Sequence, residues 1–193
     1  MAPTVTIVGL GPAGGDLATT GTLEAIAANA VRFVRTSRHP AVTLLGDVTT
    51  LDHHYEAAAS FDEVYSGIVD EVVAAASEAG SVLYAVPGSP MVAERTVEML
   101  IADDRVDTVV LPALSFADLA WTRLGTDPLT AGVRIVDAHR FAVEAAGERG
   151  PMLVAQIDTE AVLADVVASV PEAPASPVTV LQGLGTVDEL IRT

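Results

Sequence analysis

The sequence predicts an α/β protein with a largely parallel sheet, and three observations support this class. Runs of β-branched and aliphatic residues alternate with stretches of helical periodicity along the chain. Half of the 193 residues are apolar, which is enough for a sizeable core. Glycine and proline separate the segments. Alternating strands and helices are connected by crossovers, which place neighbouring strands parallel in one sheet.

The individual elements follow from local composition. The strand-like runs are TVTIVGL, VRFVRT, VLYAVPG, DTVVLPA, VRIVDA, PMLVAQI and PVTVLQG. The stretches with helical spacing are TLEAIAANA, FDEVYSGIVDEVVAAASEAG, MVAERTVEMLIADD and FADLAWTRLG. The longest helix has the clearest ends, because Ser60 and Glu63 form a capping-box pattern and Gly80 stands at its expected C-terminus. The MVAERTV helix is expected to begin near Met91.

The spacing of the elements changes near LPALSF, which predicts a domain boundary there. Residues 1–111 are expected to form one α/β subdomain and residues 112–193 a second, with closer strands and shorter helices. The stretch VPEAPASPV, residues 170–178, predicts a Pro/Ala/Ser loop. One more strand is expected after LQGLGTVDELIRT, so the second subdomain is expected to be truncated.

Composition excludes several classes of function. The chain has 26 acidic residues and ten arginines but no lysine, and its net charge is −16, so its field should repel nucleic acid and anionic membranes. A Schiff-base mechanism needs a lysine. The absence of cysteine excludes disulfides, thiolate catalysis and cysteine metal sites. No apolar run of membrane-spanning length and no basic leader are found, so a cytoplasmic protein is expected.

The first strand leads into Gly9, Gly11 and Gly14, which have the G-x-G-x-x-G spacing of a dinucleotide-binding turn. In that motif the third glycine opens a helix, whereas helical sequence starts here only near Thr22. The second strand should also end in a carboxylate that binds the ribose hydroxyls. VRFVRTSRHP ends instead in arginines, which would suit a 2′-phosphate. An NADP- or flavin-dependent oxidoreductase is therefore a distant alternative.

An ordered set of motifs is more specific: GLGPAGGDLATTGTL, VRTSRHP, YAVPGSPMVAERTVEML, LPALSFADLAWTRLGTDP, DAH, PMLVAQI and LQGLGT. Together they resemble the tetrapyrrole (corrin/porphyrin) methylase family of S-adenosylmethionine-dependent methyltransferases, over essentially the whole chain. RTxxHP and PGxPxxAERTV are typical of the branch at the N-terminus of MazG-type nucleotide pyrophosphohydrolases. The resemblance implies two α/β subdomains with mixed sheets, a ligand cleft between them, a homodimer, and S-adenosylmethionine as cofactor.

The resemblance also implies a cofactor site. The family's Gly-Asp-Pro loop reads Gly88-Ser89-Pro90 here, and its Pro-Gly-x-Ser-Ser segment reads Pro-Ala-Leu-Ser-Phe. The structural alternatives are an ordinary strand-to-helix turn, a helix cap by Ser115 and, favoured for Met152, core filling. The residues expected to bind the cofactor are Pro12, Val86, Pro87, Gly88, Ser89, Pro90, Leu114, Ser115, Phe116, Met152, Gln156, Gly185 and Thr186.

The substrate side is expected at GPAGGD and RTSRHP. Tetrapyrroles carry several carboxylates, and arginine binds carboxylates in bidentate geometry. The candidates are Asp16, Arg35, Arg38 and His39; the alternative is that the arginines only balance an acidic surface. His53 and His54 are expected to be solvated. No metal site is expected, because no further ligand stands at suitable spacing.

The predicted function is methyl transfer by in-line displacement to an unknown acceptor, a tetrapyrrole being one candidate. Orientation of the reacting groups supplies roughly 7–11 kcal/mol of such barriers, so little acid–base chemistry is needed and no catalytic residue is assigned. Both cofactor loops depart from the family pattern, so the alternative is a catalytically silent ligand-binding or regulatory domain. The E-x-x-E and E-x-x-D helices with which pyrophosphohydrolases bind magnesium are missing from this sequence, so nucleotide hydrolysis is not assigned to it. The resemblance implies that a silent domain would instead be associated with a separate nucleotide pyrophosphohydrolase domain or partner.

Overall fold

The computed structural model describes residues 2–58, 60–147, 150–170 and 178–193. The chain divides into two compact units, Met1–Leu119 with Gly183–Glu189, and Ala120–Gln182 with Leu190–Thr193. The subdomain boundary expected at residue 112 stays a prediction. The described residues contain no helix that is long and apolar enough to cross a lipid bilayer.

The described part of the first unit is built on a parallel sheet. Its strands are β1 (Thr4–Gly9), β2 (Arg32–Val34), β3 (Thr49–Thr50), β4 (Ser81–Val86) and β5 (Asp107–Val110). Its helices are α1 (Thr20–Ala28), α2 (Asp52–Ala57), α3 (Phe61–Ala79), α4 (Arg95–Ile101) and the start of α5 (Phe116–Leu124), with 3₁₀ turns at Gly15–Leu17 and Pro40–Leu45.

The strand order is β3-β2-β4-β1-β5, and every neighbouring pair is parallel. Gly9 is opposite Val86 in the β1–β4 pair, so both strands end at the same edge. The predicted α/β class with a parallel sheet is confirmed. The family resemblance implied a mixed sheet in this unit, but the observed sheet is entirely parallel. Crossover connections between the strands explain this direction.

The two central strands, β1 and β4, are buried on both faces. Val5 and Ile7 contribute to the core that includes α3, whereas Val8 contributes to the opposite core with Ile26 of α1. Successive residues of a strand point to opposite faces, so a strand covered on both sides needs a continuous apolar run. This requirement explains why TVTIVGL and SVLYAV contain no charged residue.

Helix ends follow their local sequence at three places. Ser60 Oγ accepts the Glu63 N–H at the start of α3, and Gly80 ends the helix at φ +81°, as predicted. Helix α1 begins at Thr20, so Gly14 opens only a 3₁₀ turn and not the α-helix that follows the third glycine of a dinucleotide-binding motif. Helix α4 begins at Arg95 rather than near Met91, because the chain turns through Ala93 at φ +58° first.

The described part of the second unit has smaller elements. Strands β6 (Arg134–Asp137) and β7 (Met152–Ala155) are parallel, and β8 (Val180–Gln182) and β9 (Leu190–Arg192) are antiparallel. The helices α6 (Pro128–Ala131), α7 (Phe141–Glu144) and α8 (Glu160–Ala168) and the 3₁₀ turn Ala138–Arg140 accompany them. Residues 171–177 of the predicted Pro/Ala/Ser loop, and Pro177 of the predicted PVTVLQG strand, lie outside the described residues.

Candidate functional site

The loops that follow β1, β4 and β5 meet at the carboxyl edge of the first unit's sheet. The Gly88 N–H donates to the Gly11 carbonyl at 2.8 Å, and the Gly11 N–H donates to the Gly88 carbonyl at 3.2 Å. A Cβ at Gly9 would collide with the Gly88 carbonyl and would lie 2.6 Å from the Ala113 Cβ. Adjacent loops at the carboxyl ends of parallel strands are where open α/β sheets bind ligands.

The β4 loop has two left-handed residues before α4. Gly88 has φ +65°, and a Cβ there would meet no atom within 4 Å, so its outer side is open. Ala93 has φ +58°, which is uncommon for a residue with a side chain. Such conformations persist where the surroundings impose them, often at ligand-binding loops. The geometry gives a ligand close access to the backbone at Gly88.

Most of the predicted cofactor residues belong to the first unit. Gly185 has φ +77°, and a Cβ there would lie 2.9 Å from the Ala13 Cβ, so this segment packs on the β1 loop. The predicted residues at and after the ends of β1, β4 and β5 therefore share one edge of the sheet with those of the Gly185 segment: Pro12, Val86, Pro87, Gly88, Ser89, Pro90, Leu114, Ser115, Phe116, Gly185 and Thr186. Their contact with a cofactor stays a prediction.

Ser115 makes a local interaction with α5. Its N–H donates to Asp118 Oδ2 at 2.7 Å, and its hydroxyl donates to the same oxygen at 2.8 Å. The Asp118 carboxylate that accepts the Ser115 N–H is the return contact of a capping box, although the hydroxyl donates to this carboxylate instead of accepting a backbone N–H. The contacts favour the structural interpretation of Ser115, which the sequence left open.

Met152 and Gln156 belong to the second unit. Met152 is half-buried at the start of β7, next to Arg134 of β6. Gln156 follows β7 directly, is exposed, and has φ +62°. A left-handed glutamine at the carboxyl end of a strand is a second strained position of the kind found at ligand sites. The proposed cofactor contact of both residues stays a prediction.

An ion pair that the sequence did not reveal lies at the ends of β2 and β4. Arg35 follows β2 and donates its N–H to the Ala85 carbonyl at 3.0 Å. Its Nε lies 3.4 Å from Glu94 Oε1, and the Glu94 side chain is 5% exposed. Among the described residues, Arg35 Nε, Glu94 Oε2 and His39 Nε2 are buried without a hydrogen-bond partner. Buried polar atoms are nearly always paired, so these three atoms can accept a hydrogen bond from, or donate one to, a water molecule or another polar group.

Burial controls the protonation of this group. It raises the pKa of Glu94 to about 7, and the nearby Arg35 only partly opposes this increase. Burial also lowers the pKa of His39; the Gly11 backbone opposes this shift and the charge of Arg35 adds to it. His39 is therefore neutral at pH 7 while Glu94 exchanges its proton there. Carboxyl groups with this property are typical of general acids and bases.

The four predicted substrate residues fall into two sets. Arg35 and His39 are half-buried in the group with Glu94, whereas Asp16 and Arg38 are exposed. The loop that carries Arg35 and Arg38 is fixed by Asp52, which accepts the Thr36 hydroxyl and the Ser37 N–H, each at 2.7 Å. Glu94 is not identified from the sequence, because the helix predicted from Met91 onward includes this residue. Its place in the PGxPxxAERTV motif was the available signal.

The expectation for the adjacent histidines was wrong in one respect. His54 is not freely solvated: its side chain is 20% exposed, and its Nε2 lies 2.7 Å from Glu71 Oε2. His53 is 55% exposed, and its Nε2 lies 3.0 Å from the same oxygen. Glu71 lies on α3, far along the chain, so no spacing rule could connect it with the two histidines.

Comparison with known proteins identifies the family. Residues 4–193 match the profile of the tetrapyrrole (corrin/porphyrin) methylases, and the chain belongs to this family. The uncharacterised protein YabN of Bacillus subtilis (strain 168) is 32% identical over 164 residues, which are 81% of this chain and 33% of that protein. The chain thus spans about a third of the length of the curated relative it matches.

Solved structures of methyltransferases share the fold. The uroporphyrin-III C-methyltransferase from Thermus thermophilus superimposes with a TM-score of 0.72 at 19% identity, over 100% of this chain and 82% of that chain. A precorrin-6Y methylase from Archaeoglobus fulgidus gives 0.67 at 24% identity, over 100% and 89%. A complex of the Thermus protein with S-adenosylhomocysteine gives 0.65 at 18% identity, over 98% and 82%.

Gly9→Ala should destabilise the fold because its new Cβ would collide with the Gly88 carbonyl and the Ala113 side chain. Overpacking of this kind costs about 1–3 kcal/mol of the free energy of unfolding, measured here by urea denaturation. Gly21→Ala is the control, because Gly21 lies in α1 and a methyl group there would have no neighbouring atom nearer than 3.9 Å. Equal stability of the two variants would contradict the close packing of the three loops.

Glu94→Gln should flatten the pH dependence of stability. The unfolded carboxyl loses its proton near its ordinary pKa of 4.5, whereas the folded one keeps it until about pH 7. The free energy of unfolding therefore falls as pH rises through this window, by roughly 3 kcal/mol in total, and the loss is complete above the folded pKa. Glutamine removes this contribution.

Urea denaturation at several pH values across this window measures the effect. Glu98→Gln is the matched control, because Glu98 is exposed and pairs with Arg95 on the same helix. Its pH profile should run parallel to that of the wild type. The assignment fails if the Glu94→Gln profile is also parallel.

Proposed function

We propose that this chain binds S-adenosylmethionine at the carboxyl edge of β4, β1 and β5 and catalyses in-line methyl transfer to an acceptor held near Arg35 and Glu94. The observation that carries the proposal is the pairing of Gly11 with Gly88, which leaves the Gly88 backbone open beside the other loops. Membership of the tetrapyrrole methylase family supports it. The Thermus structure with S-adenosylhomocysteine is a further support.

The residues present fit this cofactor. An open glycine lets a bulky ligand approach the main chain, where a side chain would keep it away. Pro87 and Pro90 flank Gly88 and restrict the loop, so less conformational entropy is lost on binding. When bound, S-adenosylmethionine supplies an electrophilic methyl group on a sulfonium. The chain's own contribution is to hold the reacting groups in line and to exclude water.

The unpaired atoms near Glu94 define the acceptor's chemistry. Arg35 offers a guanidinium to an anionic or carbonyl oxygen, and Glu94 Oε2 is free to accept a hydrogen bond from an N–H or O–H group. With a pKa of about 7, Glu94 accepts the proton that such a nucleophile gives up on methylation. The acceptor would therefore carry an acidic group that binds Arg35 and an N–H or O–H group that binds Glu94. A carboxylate of a tetrapyrrole is one candidate for the group that binds Arg35.

The finer assignment to the branch that precedes MazG-type pyrophosphohydrolases is also a proposal. Its support is the wording RTSRHP and PGSPMVAERTV and the much greater length of the YabN relative. In that setting the chain would act beside a nucleotide pyrophosphohydrolase domain or partner, as a homodimer. A domain that binds the cofactor without turnover is the second candidate, because Ser89 replaces the family's aspartate.

Calorimetric titration with S-adenosylmethionine and S-adenosylhomocysteine tests the proposal. Wild-type protein should bind both, and Gly88→Trp should abolish binding because the indole would fill the open side of the β4 loop. Gly125→Trp is the control: Gly125 also has a positive φ, of +60°, and open surroundings, but it follows α5 and lies outside the β4 loop.

Absence of binding to the folded wild type would refute the proposed cofactor site. Binding that survives in Gly88→Trp would place the ligand elsewhere. Binding without methyl transfer to any acidic N–H or O–H acceptor would favour the silent domain over the enzyme.

A further inference from the structure

Two histidines and a glutamate come together between two helices of the first unit. His53 and His54 lie on α2, and Glu71 lies on α3. One candidate ligand atom from each of the three side chains lies within 4.8 Å of the other two. We propose that these three side chains bind a divalent transition-metal ion, with zinc as the best match.

The distances suit such an ion. Both imidazole nitrogens already approach Glu71 Oε2, at 3.0 and 2.7 Å. Ligand atoms of a tetrahedral zinc with bonds of about 2.0–2.1 Å lie roughly 3.3 Å apart. Small side-chain rotations would therefore bring the three ligand atoms to the spacing that the metal requires.

Helix α3 has a feature that accommodates His54. Gly67 lies inside this 19-residue helix, where glycine is less favourable than alanine. A Cβ at Gly67 would lie 2.6 Å from His54 Nδ1. Glycine thus gives the imidazole room to lie against the helix, with Nε2 directed to Glu71 one helical turn further on. Both helices therefore contribute to the site, α2 with the two histidines and α3 with Gly67 and Glu71.

The donor set determines the class of metal. Two imidazoles and one carboxylate match zinc and its first-row neighbours, whereas magnesium and calcium prefer oxygen ligands. Three protein ligands leave one tetrahedral position for water. In the metal-free protein each imidazole Nε2 shares a hydrogen bond with Glu71 Oε2, and a bound metal ion would replace these two hydrogen bonds.

Metal binding here would affect the loop that carries Arg35. Helix α2 is only six residues long and begins at Asp52, which holds Thr36 and Ser37. A metal ion that links α2 to α3 would therefore also stabilise that loop. This consequence links the metal to the acceptor side of the proposed methyltransferase, but the metal site itself does not depend on that function.

The test is calorimetric titration of zinc into chelator-treated protein that carries no histidine tag, with cobalt absorption as a second signal. We expect one site per chain, a higher melting temperature with zinc, and at least about tenfold weaker binding in Glu71→Gln and in His53→Asn. Two controls should bind as the wild type does. Glu78→Gln changes an exposed carboxylate on the same helix, and His139→Ala removes the histidine that contacts Asp158 at 3.4 Å.

Failure of the wild type to bind zinc or cobalt would overturn the proposal. Binding that is equally strong in Glu71→Gln and His53→Asn would do so too. His53 is more than half exposed, so its variant keeps the test valid even if Glu71→Gln is unstable. Neither result depends on S-adenosylmethionine binding, so the two proposals can fail separately.

Discussion

The reciprocal hydrogen bonds between Gly11 and Gly88 are the constraint on which the site depends. They continue the pairing of β1 and β4 beyond the ends of the strands. Strands β1 and β4 pair in parallel, whereas the bridge between Gly11 and Gly88 is antiparallel. Both residues have positive φ, and Gly9 must lack a Cβ to admit the Gly88 carbonyl. The β4 loop then leads to Glu94, and Gly11 lies close enough to His39 to affect its pKa. One backbone pair thus positions both sides of the proposed site.

The Arg35–Glu94 pair shows burial prevailing over attraction. At 3.4 Å from a guanidinium, a carboxylate in water would have a lowered pKa. Here the pKa of Glu94 is raised, because its side chain is almost fully removed from solvent and its second oxygen has no partner. Burying the Glu94 carboxylate is unfavourable, and the chain has a net charge of −16 in addition. A ligand donor that paired with Oε2 would remove part of this cost.

Local patterns predicted the elements that depend on near neighbours. The strand runs correspond to strands β1, β2 and β4 to β8, and the Ser60 cap and Gly80 stop of α3 are confirmed. Two-residue β3, the short helix α2 and the start of α4 after Ala93 had no such signal. The burial of Glu94 and the contact of Glu71 with His53 and His54 depend on chain crossovers, so sequence spacing could not reveal them. Only the ordered set of motifs predicted the family.

The departures from the family's loop wording have physical consequences. Ala113, where the family has glycine, packs its Cβ against the position that a side chain on Gly9 would take. Ser115 donates its N–H and its hydroxyl hydrogen to Asp118 of α5, so neither hydrogen is available to a ligand. Phe116 replaces a second hydroxyl with an apolar ring. In the proposed site, the β5 loop would therefore offer a ligand mainly shape and apolar surface. Polar recognition would fall on the backbone of the β1 and β4 loops, where the hydrogen bonds between Gly11 and Gly88 fix the geometry.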